Sequence, residues 1–285
     1  MKTFFLALGG NRSGMFGFIL LVILLLAAAF GPWLGLMPPT KSNLLLRMQP
    51  PTWSGLFSPG AHPFGTDELG RDVLSRIIHG SRITLTIAFI AVVLGGMVGV
   101  LCGIVAGYHR GIIDRILMRI VDIQLALPLM LLALLVVAAF GPSMRNLILV
   151  LALTSWIRYA RIIRGQVLSL REQEFILSAH AIGAGGWRIM WRHILPNVLT
   201  PAVVVATLEL ARLIIMDAAL SFLGLGVQPP DPSWGRMLAD GRVYISSAWW
   251  IVTFPGLAIL FTVLSVNLLG DWLRDYFDPK LRTQR

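Results

Sequence analysis

The stretch LSAHAIGAGGWRIMWRHILPN, residues 177–197, separates two long apolar runs and is itself too polar to cross a bilayer. Just upstream, in SLREQEF, Ser169 and Glu172 have the S-x-x-E spacing of a capping box, which predicts a helix starting near Leu170 with Glu172 and Glu174 at its positive end. Gly183 is the expected stop, because a residue without a Cβ adopts the left-handed cap conformation without strain. Residues 184–186 then predict a tight reversal. A second helix is expected from about Trp187, with Trp187, Met190, Trp191, Ile194 and Leu195 as an apolar stripe and Arg188 and Arg192 on another face. Pro196 and Asn197 lead into the next apolar run. The segment 169–197 therefore reads as a short helix, a turn and an interfacial helix. Its small residues Ser178, Ala179, Ala181, Gly183 and Ala184 leave a shallow surface that another protein can approach.

The surrounding chain is built for a bilayer. Of 285 residues, 56% are hydrophobic and 13% charged, against about 25% charged in soluble domains, and the mean hydropathy is +0.77. A hydrocarbon core about 30 Å thick needs roughly 20 apolar residues in a helix. Six segments approach that length, at about 15–34, 83–107, 118–140, 147–164, 198–226 and 249–272. The expectation is an all-α polytopic membrane protein, one domain over 1–285, with an outer loop at 35–82. The first apolar run exceeds the 7–15 residues of a signal-peptide core and reads as an uncleaved anchor. Arg158, Arg161 and Arg164 fall in the last turns of the fourth span, where long side chains can snorkel to phosphates.

With the N-terminus inside, fifteen basic residues lie on the inner side and eight on the outer, which predicts cytoplasmic termini. Trp33, Trp249 and Trp250 then form an outer aromatic belt, and Trp156 and Trp272 an inner one. The net charge of +10 comes mostly from arginines at span ends, a pattern of membrane orientation rather than nucleic-acid binding. The three lysines, Lys2, Lys41 and Lys280, follow no GxxxxGK[ST] loop, so no nucleotide cradle is expected in this chain. The single cysteine, Cys102, rules out an intrachain disulfide.

Gly95, Gly99, Gly103 and Gly107 form an i, i+4 ladder in the second span, predicting close helix packing. In HPFGTDELGRDVLSRIIHGSR, Thr66 or Asp67 is placed to cap a helix lying on the outer surface, with Leu69, Val73, Leu74, Ile77 and Ile78 on one side. His62, Asp67, Glu68, Asp72 and His79 lack metal-ligand spacing, and no metal site is expected. The loop GVQPPDPSWGRMLADGRVYISSAWW predicts ordered outer structure. Inside the fifth span, Glu209 and Arg212 are an i, i+3 ion pair, and Asp217 lies on a different face. An intramembrane charge marks either a pathway or a partner, so Glu209, Arg212 and Asp217 are candidates for a substrate pathway, with Asn267, Asp122 and Gln124 behind them. His180 and His193 fit contacts at the inner surface better than metal ligation.

The opening segment resembles the EAA loop of permease subunits of bacterial ATP-binding-cassette importers, written EAA, three residues, Gly, nine residues, I-x-L-P. Gly183 and Leu195-Pro196 stand at the matching spacing, while Leu177-Ser178-Ala179 replaces EAA and His193 replaces Ile. HPFGTDELGRDVLSRIIHGSR, ALSFLGLGVQPPDPSWGRML and WWIVTFPGLAILFTVLSVNLLGDWLRDYFDPKL are similar to the C-type permease of dipeptide, oligopeptide and nickel importers. The resemblance covers about residues 15–281. It implies a type I importer permease with six spans and a cytoplasmic coupling helix, in the bacterial inner membrane. The implied partners are a second, related permease, two ATPase subunits that bind ATP and Mg, and an extracytoplasmic substrate-binding protein, with no cofactor in this chain. It further implies that Glu174, Phe175, Ser178, Ala179, His180, Ile182, Gly183 and Ala184 contact an ATPase. Peptides are the leading cargo, with nickel chelates, glutathione or opines as alternatives. A secondary transporter or channel would instead show internal inverted repeats, and none is evident. An intramembrane hydrolase would need HExxH or GxSxG, and both are absent.

Overall fold

The computed structural model describes residues 7–33, 37–52 and 62–277. Leu34, the predicted end of the first span, and the terminal basic residues Lys2, Lys280, Arg282 and Arg285 lie outside the described residues. Within them the chain is helical, with one isolated bridge between Thr66 and Asp72. Five helices are long and apolar enough to cross a membrane, and six spans result if one bent pair counts as a single span. They are α1 (Arg12–Phe30), α2 (Val73–His109), α5 (Met144–Leu170), α7 (Gly186–Phe222) and α9 (Trp250–Phe277). The bent pair is α3 (Gly111–Ala126) and α4 (Leu129–Phe140), and two short helices, α6 (Glu174–Ala181) and α8 (Trp234–Gly241), lie outside the spans.

The core is the α2–α5 pair with α7 laid against it. Ile87, Ala88, Ala91 and Val92 pack on Leu147, Val150 and Leu151, and Val205, Leu213 and Ile214 close the cluster. The glycine ladder lies on the α2 side of this seam. A Cβ at Gly99 would sit 2.3 Å from the Trp156 carbonyl oxygen, and one at Gly103 2.8 Å from that of Ala160. At Gly95 the obstruction would be the Ser155 hydroxyl and at Gly107 the Val167 side chain. The two backbones thus approach as closely as hydrogen allows, which is how membrane helices gain packing where lipid supplies no hydrophobic drive.

Four expectations need correction. The outer helix of the 62–82 loop is not a separate surface element: Asp72, rather than Thr66 or Asp67, caps α2 by accepting from Ser75 N at 2.7 Å, and its apolar residues run in phase into the second span. Thirty-seven residues reach about 55 Å, so the first turns stand above the bilayer. Second, the run at 118–140 is not one straight helix. Leu127 before Pro128 is extended (φ −86, ψ 123), as proline demands of its predecessor, and α3 and α4 meet at 87°.

Third, Ser169 and Glu172 form no capping box. α5 continues to Leu170, and α6 starts after Gln173 without a side-chain cap. The helix expected from about Trp187 is continuous with the fifth span: α7 runs from Gly186 through a π turn at Met190–Ile194 to Phe222. Fourth, the aromatic belts are mostly packing residues. Trp250 donates to Thr66 O at 3.0 Å, Trp156 donates to Gln124 Oε1 at 2.9 Å, and Trp272 is buried against Gly14. Trp33 and Trp249 remain exposed, while Trp187 and Trp191 are the exposed pair of the opening segment.

Candidate functional site

Between α5 and α7 the chain forms a knob. Ile176 and Ala179 of α6 are buried with Ile163, Val167, Ile189, Ile194 and Val198, so an eight-residue helix, too short to persist alone, is pinned by its inner face. Its end is a Schellman motif: Gly183 lies at φ +78, Ala184 N donates to Ala179 O at 3.0 Å, and Gly183 N donates to His180 O at 2.9 Å. The motif turns the chain back so that Gly186 passes under Tyr108, whose ring stacks on His180 with centroids 6.1 Å apart. Arg171 donates to Tyr108 O at 2.5 Å, tying the knob to the end of α2.

Of the sequence-predicted coupling residues, Glu174, Phe175, Ser178, His180, Ile182 and Gly183 are exposed, with Ile182 at 85%; Ala184 is half-buried and Ala179 faces the core. The outer face is therefore more apolar than a row of small residues, since Phe175, Leu177 and Ile182 all project from it. Phe175, Ser178, Ile182, Arg188, Arg192 and His193 line an open groove of about 680 Å³ beside it. The predicted stripe on the following helix splits: Met190 and Ile194 are buried, whereas Trp187 and Trp191 border a separate apolar cleft with Leu101, Ile104 and Val105.

The second site is intramembrane. Glu209 is 1% exposed. Arg212 Nε lies 3.1 Å from both of its carboxylate oxygens, and Arg212 Nη2 donates to Oε2 at 2.6 Å. Arg158 of α5 approaches the same group, Nε to Oε1 3.3 Å. Asp217 belongs to another environment: it is fully buried one turn from Ser221, whose hydroxyl donates to Oδ1 at 3.3 Å, while Oδ2 meets no partner among the described residues. Asn267 is half-buried on α9. The structure thus joins Glu209 to Arg212 and leaves Asp217 and Asn267 outside that cluster.

Two arginines of α5 are paired with aspartates of α3. Arg161 Nη2 donates to Asp122 Oδ1 at 2.5 Å, and Arg164 grips Asp114 through Nε and Nη2 at 2.5 and 2.7 Å. Sequence reasoning missed these pairs and Arg158's place beside Glu209. The signal was available, because a charge within an apolar run requires a countercharge at the same depth, and α3 offers two.

The segment that leads into α2, residues 62–76, is closed by ion pairs. Asp67 holds Leu69 N and Arg71 N at 2.9 Å each, takes Arg71 Nε at 2.6 Å, and also binds Arg76, which reaches toward Asp240 of α8. His62 Nδ1 lies 2.9 Å from Asp72. Glu68 accepts from Arg71 at 2.6 Å, yet burial, aided by the adjacent Asp67 charge, pushes its carboxyl above the ordinary 4.5. Trp234 of α8 donates to Ile77 O at 2.9 Å, locking α8 onto the head of α2.

Comparison with known proteins places this geometry. The family described as binding-protein-dependent transport system inner membrane component matches residues 99–283, and the N-terminal transmembrane domain of oligopeptide transport permease C matches residues 1–51. The chain is 41% identical to a di/tripeptide transport system permease protein of Pseudomonas aeruginosa over 99% of its own length and 93% of the relative's. It is 46% identical to a dipeptide transport system permease protein of Escherichia coli, over 95% and 90%, and 42% identical to one of Alkalihalophilus pseudofirmus, over 96% and 88%. The helical bundle with its short helix between the fourth and fifth spans is the type I importer permease fold. This chain belongs to the inner-membrane permease components of binding-protein-dependent transport systems.

Proposed function

We propose that this chain is one of two related permeases of an ATP-driven peptide importer and that α6 is the element through which an ATPase drives it. The observation that carries this reading is the α6 knob: its inner face is fixed by Ile176 and Ala179, and its outer face offers Phe175, Leu177 and Ile182 to a partner. A rigid apolar projection fits a complementary cleft and transmits displacement to α5 and α7 together, because α6 joins them. The two ATPases would bind ATP and Mg, a substrate-binding protein would deliver cargo at the outer face, and both termini would lie on the ATPase side. Peptide cargo is supported by the names of the relatives, which are di- and tripeptide permeases. Glu209, Arg212, Asp217 and Asn267 are assigned to the pathway region, and the glycine ladder to its scaffold.

The test is reconstitution in proteoliposomes of this chain with a second permease, two ATPases and a binding protein from the same organism. Uptake of alanyl-alanine should require ATP and every component. Uptake by this chain alone would establish a secondary transporter or channel, and a complex that ignores peptides but imports a nickel chelate, glutathione or an opine would reassign the cargo.

A further inference from the structure

Three arginines recur on α5 every three residues, and they are not equivalent. Arg161 and Arg164 each own an aspartate of α3. Arg158 shares Glu209, whose two oxygens are already held by the Arg212 fork. The Arg158–Glu209–Arg212 cluster therefore carries one surplus positive charge. Arg158 approaches Glu209 with Nε 3.3 Å from Oε1, and its terminal nitrogens donate no hydrogen bond among the described residues. It also lies deep. Fourteen residues separate it from Met144 and twelve from Leu170, placing it about 21 Å and 18 Å from the two ends of the helix, and its side chain is 59% exposed on the bundle surface.

A surplus guanidinium charge within a membrane-crossing helix marks a functional group, and the exposed side chain leaves room for an anion beside it. We infer that Arg158 is the pathway's carboxylate-binding residue, whose free terminal nitrogens receive the carboxylate of the passing substrate in a two-point fork. Glu209 and Arg212 act as positioning residues: as a neutral pair they hold Arg158 by Nε and turn its open edge outward. This rests on the peptide reading above, which supplies a cargo ending in a carboxylate, and extends the pathway to a residue of α5.

The experiment uses the full complex and alanyl-alanine as probe. Arg158→Gln should leave the second permease and the ATPases co-purifying while lowering alanyl-alanine uptake about tenfold or more, and Arg158→Lys, which keeps the charge but loses the fork, should fall between. A second measurement does not depend on that variant. In a Cys102→Ala background, Arg158→Cys should be labelled from water by aminoethyl methanethiosulfonate, which restores a cation and raises uptake. The sulfonatoethyl reagent, which adds an anion, should not. The inference is overturned by unchanged uptake in Arg158→Gln, by no labelling from the aqueous phase, by equal rescue with both reagents, or by loss of the second permease from the Arg158→Gln complex, which would make Arg158 a subunit contact. Failure of the peptide reading is distinguishable, because the unmodified complex would then take up no alanyl-alanine.

Discussion

Replacing Gly183 by valine tests the knob. At φ +78 a β-branched residue is an outlier, and the left-handed region costs a residue with a Cβ about 1–2 kcal/mol. A Cβ at this position would meet nothing within 4 Å, so the perturbation is confined to the backbone and no clash reaches the bundle. If the chain escapes the strain by leaving the left-handed region, it gives up the bonds from Ala184 N and Gly183 N, each worth about 0.5–1.5 kcal/mol net. Either way the capped geometry loses at least 1–2 kcal/mol, a factor of about 5–30 in its population. Ile182, the most exposed apolar residue of the knob, sits next to the strained residue and would be misdirected. The assay is affinity purification of the complex from membranes, with ATPase stoichiometry and substrate-stimulated ATP hydrolysis as readouts. Gly183→Val should insert normally, retain the second permease and lose ATPase subunits, whereas Gly183→Asn, which tolerates the left-handed region, should lose fewer. A Gly183→Val complex with full ATPase content and unaltered hydrolysis would refute the reasoning and reduce α6 to a connector.

Gly99→Ala should destabilise the detergent-solubilised protein by about 1–3 kcal/mol, because the new methyl would lie 2.3 Å from the Trp156 carbonyl oxygen. Gly165→Ala, with open space around its position on α5, should leave thermal unfolding unchanged or raise its midpoint. Arg164→Ala strands Asp114 and should cost about 1–3 kcal/mol, of which adding Asp114→Asn recovers a part in a double-mutant cycle. For Glu68 the folded chain holds its proton to higher pH than the unfolded chain does, so this group's contribution to stability falls as pH rises from about its ordinary 4.5 upward. Glu68→Gln should remove that slope, measured as the pH dependence of the unfolding midpoint.

The helical class and the number of apolar spans, the Gly183 stop and the small-residue ladder of α2 were legible in the chain because each depends on residues within a turn or two of one another. About twenty apolar residues make a span whatever surrounds them, and a left-handed cap needs only one residue without a Cβ. The break at Leu127 was legible too, in Pro128, but the uninterrupted hydropathy of 118–140 concealed it. What tertiary structure decided was the pairing of charges and the destination of each face. Arg158, Arg161 and Arg164 read identically in sequence, yet their counterions come from α7 and α3, 39 to 51 residues away in the chain. Only when α5 is clamped against the glycines of α2 does its other face settle which arginine keeps a private carboxylate and which does not. The same holds for the knob: a capping box and the Gly183 stop predicted a helix near 170–183, but burial of Ile176 and Ala179 against α5 and α7 determined which side it shows to a partner. Local sequence sets backbone conformation through sterics and transfer energy, whereas the electrostatic balance of a buried site is a sum over groups that meet only after folding.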